Sequence, residues 1–508
     1  MRARAARADR ARVPAACARR GSRRIPASAT FAALVLTLAS CSGGDGPPAA
    51  PVGSTLQATL IDPDGDGALG RGPGEPLLDR SELGGAGGPR EILATLAHLT
   101  DTQVRDEESP ARVPFLDRLG GVFSSTFRPH EALSTQVLAA AVRSVNRLEP
   151  DAVVVTGDIV DSAEQVELEQ ALAVLDGGEV DPDTGARGYD GVQDPDDPDP
   201  LFYRPDLDAP RHIGLLAAAA RPFRSPGLVA PWYPALGNHD LLVQGETPPT
   251  ERIEAVATGT RMVVGLDPRI RPHEEVDSAR AVDELLAAGA PGRSLEVPAD
   301  RRRRHMSAAE LVSRLAGRER APGPLRAAAR LARLDYSFDA GAVRALVLDT
   351  VDRRGGSAGV LRDVQLEWLR AELRGAGGRP LLVFSHNPLD DSAGGERALA
   401  LLDATPGVVA VIAGNSHRNR IRPRATPRGG YWQISTSSLA DHPQQARALR
   451  VRRTRSGFAL ETWMLDHDGG GLADSARELA FLDAQGGRPQ EFAGTRADRN
   501  ARLFVAAR

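Results

Sequence analysis

The chain has 508 residues, 41 % of them hydrophobic, which suits one large domain with insertions or two domains and excludes a mainly disordered protein. The formal net charge is −4, and all 63 basic residues are arginines. An acidic chain with no long basic track argues against nucleic-acid binding, and so against a nuclease.

Residues 1–40 read as a lipoprotein-type signal peptide. Nine arginines from Arg2 to Arg24, against Asp9 alone, form a basic leader, and Phe31 to Ala39 is an apolar stretch too short for a permanent membrane span. It ends in Leu38-Ala39-Ser40-Cys41, which resembles the bacterial lipobox, whose cysteine is diacylated and becomes the mature N-terminus. The expectation is an exported protein held at the cell envelope by a lipid on Cys41; the alternative is an ordinary signal peptide with a chance cysteine. Cleavage there removes nine positive charges and one negative, leaving a body at about −12. With Cys17 gone and Cys41 acylated, no intramolecular disulfide remains possible.

Residues 41–90 are rich in Gly, Pro and Asp and read as a tether and irregular lead-in. Within them, Asp62, Asp64 and Asp66 are spaced as in a calcium loop, but the twelfth position holds Pro73, so a solvated turn is the expectation. From 91 to 470 the pattern is α/β. Ile92 to Leu99 and Ala152 to Thr156 are strands, with a helical spacing over Ala132 to Leu148 between them. Trp232 to Leu236, Ala345 to Leu348, Leu381 to Phe384 and Val408 to Ile412 are further strands, and Gln365 to Leu373 is an amphipathic helix. Ala448 to Arg452 and Phe458 to Trp463 read as a hairpin about Ser456-Gly457. Two stretches interrupt this domain: 177–210, crowded with Asp and Pro, as a surface insertion, and 245–335, Arg- and Ala-rich, as a helical cap near the site. Arg301 to Arg304 in the second read as a solvated face. Residues 471–508 are expected as an extension packed on the domain.

Five polar motifs follow five of these strands: Asp101-Thr102-Gln103, Gly157-Asp158-Ile159-Val160-Asp161, Gly237-Asn238-His239-Asp240, Ser385-His386 and Gly414-Asn415-Ser416-His417. Polar side chains at the carboxyl ends of strands are where open α/β sheets build their sites. One such block is weak evidence; five in order are not.

In order, the five blocks resemble the signature of the calcineurin-like metallophosphoesterases: Asp-x-His, Gly-Asp, Gly-Asn-His-Asp or Glu, a strand-final His, and Gly-His-x-His. The likeness runs from about Leu96 to His417. Leu439 to Arg447 and Gly494 to Phe504 are also similar to a secreted bacterial branch whose first motif is Asp-Thr-Gln. The resemblance implies a layered α/β fold, a β-sandwich flanked by helices, and a phosphatase or phosphodiesterase with two divalent metal ions. It implies that Asp158 bridges the two ions, that Asp101, Gln103 and His417 complete the first site, and that Asn238, His386 and Asn415 complete the second. It casts His239 as the acid facing the leaving group, oriented by Asp161. A water activated by both ions would attack the phosphoester substrate.

Gln103 and Asn415 stand where the family usually has His. An amide oxygen is a harder ligand than imidazole, so manganese is favoured, with iron, magnesium or zinc also compatible. Asp161 occupies the position of the purple acid phosphatases' tyrosine ligand, which argues against a tyrosinate–iron centre. The rival expectation is a catalytically inactive lipoprotein that uses the fold for binding.

Overall fold

The computed structural model describes residues 53–85, 87–119, 125–265, 292–331, 333–486 and 490–506. The segment expected as a signal peptide, Cys41 and part of the second insertion lie outside the described residues. Among those described, no helix is long and apolar enough to cross a membrane.

Two mixed sheets are built from thirteen strands: β1 (Leu78–Leu83), β2 (Ile92–Leu99), β3 (Ala152–Thr156), β4 (Trp232–Ala235), β5 (Tyr336–Ala340), β6 (Val343–Leu348), β7 (Leu381–Ser385), β8 (Val408–Ala413), β9 (Arg420–Thr426), β10 (Gly429–Ser435), β11 (Gln445–Arg453), β12 (Gly457–Asp466) and β13 (Ala501–Ala506). The first sheet runs β1-β13-β12-β11-β2-β3-β4 and the second β5-β6-β7-β8-β10-β9. β2, β3 and β4 are mutually parallel, as are β6, β7, β8 and β10. Their carboxyl ends carry all five polar motifs.

The sheets pack face to face, and the period of two in each strand sorts the side chains. Ala345 and Val347 of β6, with Leu382 and Phe384 of β7, join the first sheet's Leu96 and Val154 in one core. Leu346, Leu348, Leu381 and Val383 point the other way, into a separate cluster with the helices α3 (Asp363–Gly375) and α4 (Gly395–Asp403). The first sheet is covered by α1 (Ser134–Leu148), which packs on β11 and β12, and α1 also packs against α2 (Gln165–Leu175). Strands buried on both faces explain the near-continuous Val and Leu runs. The layered α/β architecture and the β11–β12 hairpin are as the sequence predicts.

Four segments differ from expectation. The irregular lead-in holds three strands, Ala58–Ile61, Gly70–Pro73 and β1, and β1 pairs in parallel with β13, some 420 residues on in sequence order of pairing (Ala501 with Leu78). A partner so remote leaves no local signal. The C-terminal segment is likewise part of the first sheet through β13, after a helix, α5 (Leu472–Gln485). In the surface insertion, Val192 and Phe202 are wholly buried in a second core with Val113, Phe127, Val243 and Ile253. The Arg301 to Arg304 run is not uniformly solvated: Arg303 is buried, with Nε donating to Asp106 (2.8 Å) and Nη2 to Thr184 (2.7 Å). Those acceptors come from distant segments, which a charge run cannot reveal. The Asp62–Asp66 stretch is a turn, with Asp62 accepting from Gly65 and Gly67 and Asp66 from Ala68.

Candidate metal centre

The first, second and fifth motifs leave their strands abruptly. Asp101, Gln103, Asp158, Asn415 and His417 all have positive φ, between 40 and 60°. Only nine non-glycine residues do so among those described, so five of nine are candidate ligands. Left-handed backbone at Asp, Gln and His costs energy and is held only where the surroundings fix it. Glycines let the loops close in: a Cβ on Gly237 would lie 2.1 Å from Asp158 Oδ1, and one on Gly414 would lie 1.9 Å from Thr100 Oγ1.

The side chains converge. Ligand atoms of Asp101, Asp158 and His386 all lie within 4.8 Å of one another, and all three residues are buried. His386 Nε2 is 3.0 Å from Asn238 Oδ1 and 3.3 Å from Asp158 Oδ2. His417 Nε2 is 3.3 Å from Asp101 Oδ1. Gln103 Oε1 is a buried oxygen without any hydrogen-bond donor, and buried Asp101 Oδ1 faces only the His417 ring nitrogen. A cation supplies what such acceptors lack, so the residues present fit a metal site. Asn415 is tied to the site through its backbone N–H, which donates to Asp101 Oδ2 (3.1 Å).

The imidazoles are held in the orientation a ligand needs. His386 Nδ1–H donates to the Thr156 carbonyl (2.7 Å), and His417 Nδ1–H donates to Asp441 Oδ2 (2.5 Å). Each leaves Nε2 facing the carboxylates. Asn238 Nδ2 donates to the Gly245 carbonyl (3.0 Å), which turns Oδ1 inward.

Burial alone would lower the histidine pKa values, but the carboxylates outweigh it. Asp158 and Asp101 push His386 up to about 9, and Asp101 and Asp441 push His417 up to about 10. Burial opposes ionisation of Asp158, yet His386 and His239 hold it below the usual carboxylate range. The cluster therefore attracts cations strongly, protons included.

His239 stands apart from the ligand trio. Its backbone N–H donates to Asp158 Oδ1 (2.9 Å), and its Nδ1–H donates to the main-chain carbonyl of Asp161 (2.7 Å). The Asp161 carboxylate is farther, at 3.5 Å, and is taken up by Arg105 Nη2 at 2.6 Å. Asp161 thus orients the ring through its backbone. Despite burial, Asp158 and Asp161 raise the His239 pKa to about 9.

Several residues that matter here carry no candidate role in the sequence reading. Asp240 accepts backbone N–H bonds from Gly237, Asp158, Ile159 and Val160 at 2.8 to 3.2 Å, lacing the second and third motifs together. Its place in the third motif was the available signal. His98 lies between the sheets, bonded to Thr436 (2.9 Å) and Thr156 (2.7 Å), and is neutral because burial, with Arg447 beside it, drives its pKa down to about 3. Asp441 falls in the Leu439 to Arg447 stretch but had no motif of its own.

No family model matches the chain. Over 92 residues it is 35 % identical to the glycerophosphodiester phosphodiesterase GpdQ of Enterobacter lignolyticus (strain SCF1). That stretch covers 16 % of this chain and 33 % of the relative's length. The chain is also distantly similar to the crystal structure of a dimetal phosphatase from Danio rerio: 14 % identity, TM-score 0.39, covering 74 % of this chain and 97 % of that one.

Proposed function

We propose that the protein is a metal-dependent phosphoester hydrolase. The observation that carries this reading is the convergence of Asp101, Asp158 and His386, with the donorless buried oxygen of Gln103, at the carboxyl ends of parallel strands. The partial likeness to a phosphodiesterase agrees with it.

In this reading Asp158 serves two divalent ions, Asp101, Gln103 and His417 hold one, and Asn238, His386 and Asn415 hold the other. When bound, the ions supply an acidified water and neutralise phosphoryl charge. The chain's own residues do the rest. His239, with Nδ1–H fixed on the Asp161 carbonyl, presents Nε2 as the proton donor for a leaving oxygen. The two amide ligands favour manganese over zinc. A lipid on Cys41 would hold this body at the membrane; membrane association of a Cys41→Ser variant equal to wild type would exclude that anchor.

The test is hydrolysis of nitrophenyl phosphomonoesters and phosphodiesters by protein stripped of metal and then reloaded with manganese. Activity that vanishes on stripping and returns on reloading supports the hydrolase. Reloaded protein that binds manganese yet turns over neither substrate supports a binding protein on the same fold.

A further inference from the structure

Two arms of buried charge run from one short segment to opposite sides of the candidate centre. The segment is Arg128-Pro129-His130-Glu131, just before α1. On one side, Arg128 grips Asp441 with both ends of its guanidinium (Nε to Oδ1, 2.7 Å; Nη2 to Oδ2, 3.0 Å), and Asp441 accepts the Nδ1–H of His417. On the other, Glu131 Oε2 accepts Arg105 Nη1 (2.8 Å), and Arg105 Nη2 donates to Asp161 (2.6 Å), whose carbonyl fixes His239.

The arms are joined at the segment itself, because the Arg128 backbone N–H donates to Glu131 Oε2 (3.1 Å). Arg112 closes the set with two bonds to Glu131, at 2.9 and 2.8 Å. His130 Nε2 adds a tie to the Ala440 carbonyl, and Ala440 N–H in turn donates to the Asp101 carbonyl. The side chains of Arg105, Arg112, Arg128, Glu131, Asp161 and Asp441 are all at most 8 % exposed.

We infer that Arg128 to Glu131 is a positioning element that sets a metal ligand, His417, through Arg128 and Asp441, and sets the acid, His239, through Glu131, Arg105 and Asp161. Three arginines and three carboxylates cancel in charge, so the set can stay dry, but only while complete. Such a network fixes directions as well as charge, because the Arg128–Asp441 and Arg112–Glu131 pairs are bidentate and Arg105 spans Glu131 and Asp161 with its two terminal nitrogens. It makes the two arms separable by experiment: one governs metal affinity at a single site, the other governs turnover with metal in place. A network that merely stabilised the fold would not divide its effects in that way.

The inference rests on the hydrolase reading, and the test keeps the two apart. Metal-free wild type, Asp441→Asn and Glu131→Gln are titrated with manganese against a chromophoric chelator, then assayed at saturating manganese. Asp441→Asn should weaken one of the two manganese sites by about 10- to 100-fold, the usual effect of removing a carboxylate behind a ligating histidine, with the other site changed less than about threefold. Its kcat should return at saturating metal. Glu131→Gln should leave both affinities within about threefold while lowering kcat by about tenfold or more, with KM little changed. Equal weakening at both sites by either variant, or no difference from wild type, overturns the inference. Wild type that binds no manganese overturns the hydrolase reading instead. If Glu131→Gln does not fold, as judged by circular dichroism, Asp441→Asn and Arg128→Gln decide by the one-site criterion alone.

Discussion

Raising the pH should strengthen metal binding by an amount set by the two candidate ligand histidines, His386 and His417. In the metal-free protein His386 is pushed up to about 9 and His417 up to about 10, so both carry a second proton at pH 7. Binding a cation at Nε2 must displace it. At pH 7 that costs free energy at both rings, more at His417 than at His386, because His417 holds its proton more tightly. Each cost falls as the pH rises, so affinity at each site should rise about tenfold per unit between pH 6 and 8. Calorimetric titration of metal-free protein with manganese, repeated in buffers of different ionisation enthalpy, counts the protons released. At least about two per chain are expected at pH 7. Affinity that does not change between pH 6 and 8, with no proton released, would refute the assignment of these two rings. The metal-free fold should respond in the opposite sense. A histidine raised on folding stabilises the fold fully below its unfolded pKa of about 6.5, and that contribution is lost as pH climbs through the folded values. The Tm of the metal-free protein should therefore fall between about pH 7 and pH 10.

Three further outcomes follow from the geometry. His239→Gln should keep both metal ions, yet lose on the order of 10²–10⁴-fold in kcat, the usual size for a positioned acid; loss of metal in that variant would show the ring to be a ligand. Gln103→His with Asn415→His should raise zinc affinity relative to manganese in competitive binding, since imidazole suits zinc; an unchanged ratio would mean neither side chain touches metal. Asp240→Ala leaves four buried backbone N–H groups without their acceptor and should destabilise the metal-free protein by about 4 kcal/mol or more, read by urea unfolding. A change under about 1 kcal/mol would mean that water replaces the carboxylate without loss.

What the sequence made legible was whatever repeats locally. β2 and β3 are visible as apolar runs because helices cover the far side of their sheet, and the hairpin of β11 and β12 is visible from its turn. The candidate ligands were legible because each follows its strand within a few residues, at the sheet end where a site forms. Pairing between remote segments was not. β1 joins β13 across nearly the whole domain, and nothing in Leu78–Leu83 announces it.

The buried charges were hidden for a related reason. Arg303 sits in a run of four arginines, and only the fold brings Asp106 and Thr184 to it. Nothing in the five motifs marks Arg128, Glu131 or Asp441 as members of one buried network. Their meaning lies in a network whose directly bonded partners are up to 313 residues apart. Backbone strain at Asp101, Gln103, Asp158, Asn415 and His417 is likewise a property of how the loops meet, since Asp, Asn and His tolerate positive φ without requiring it.

The proposed dinuclear centre on Asp158 is most directly tested by metal content. Wild type and Asp158→Asn are loaded with manganese, freed of loose ion by gel filtration, and measured for metal per chain by elemental analysis. Two ions per chain in wild type, falling to one or none in Asp158→Asn, is the expected result. Wild type that retains no manganese, or a variant that retains as much as wild type, would contradict a centre built on that carboxylate.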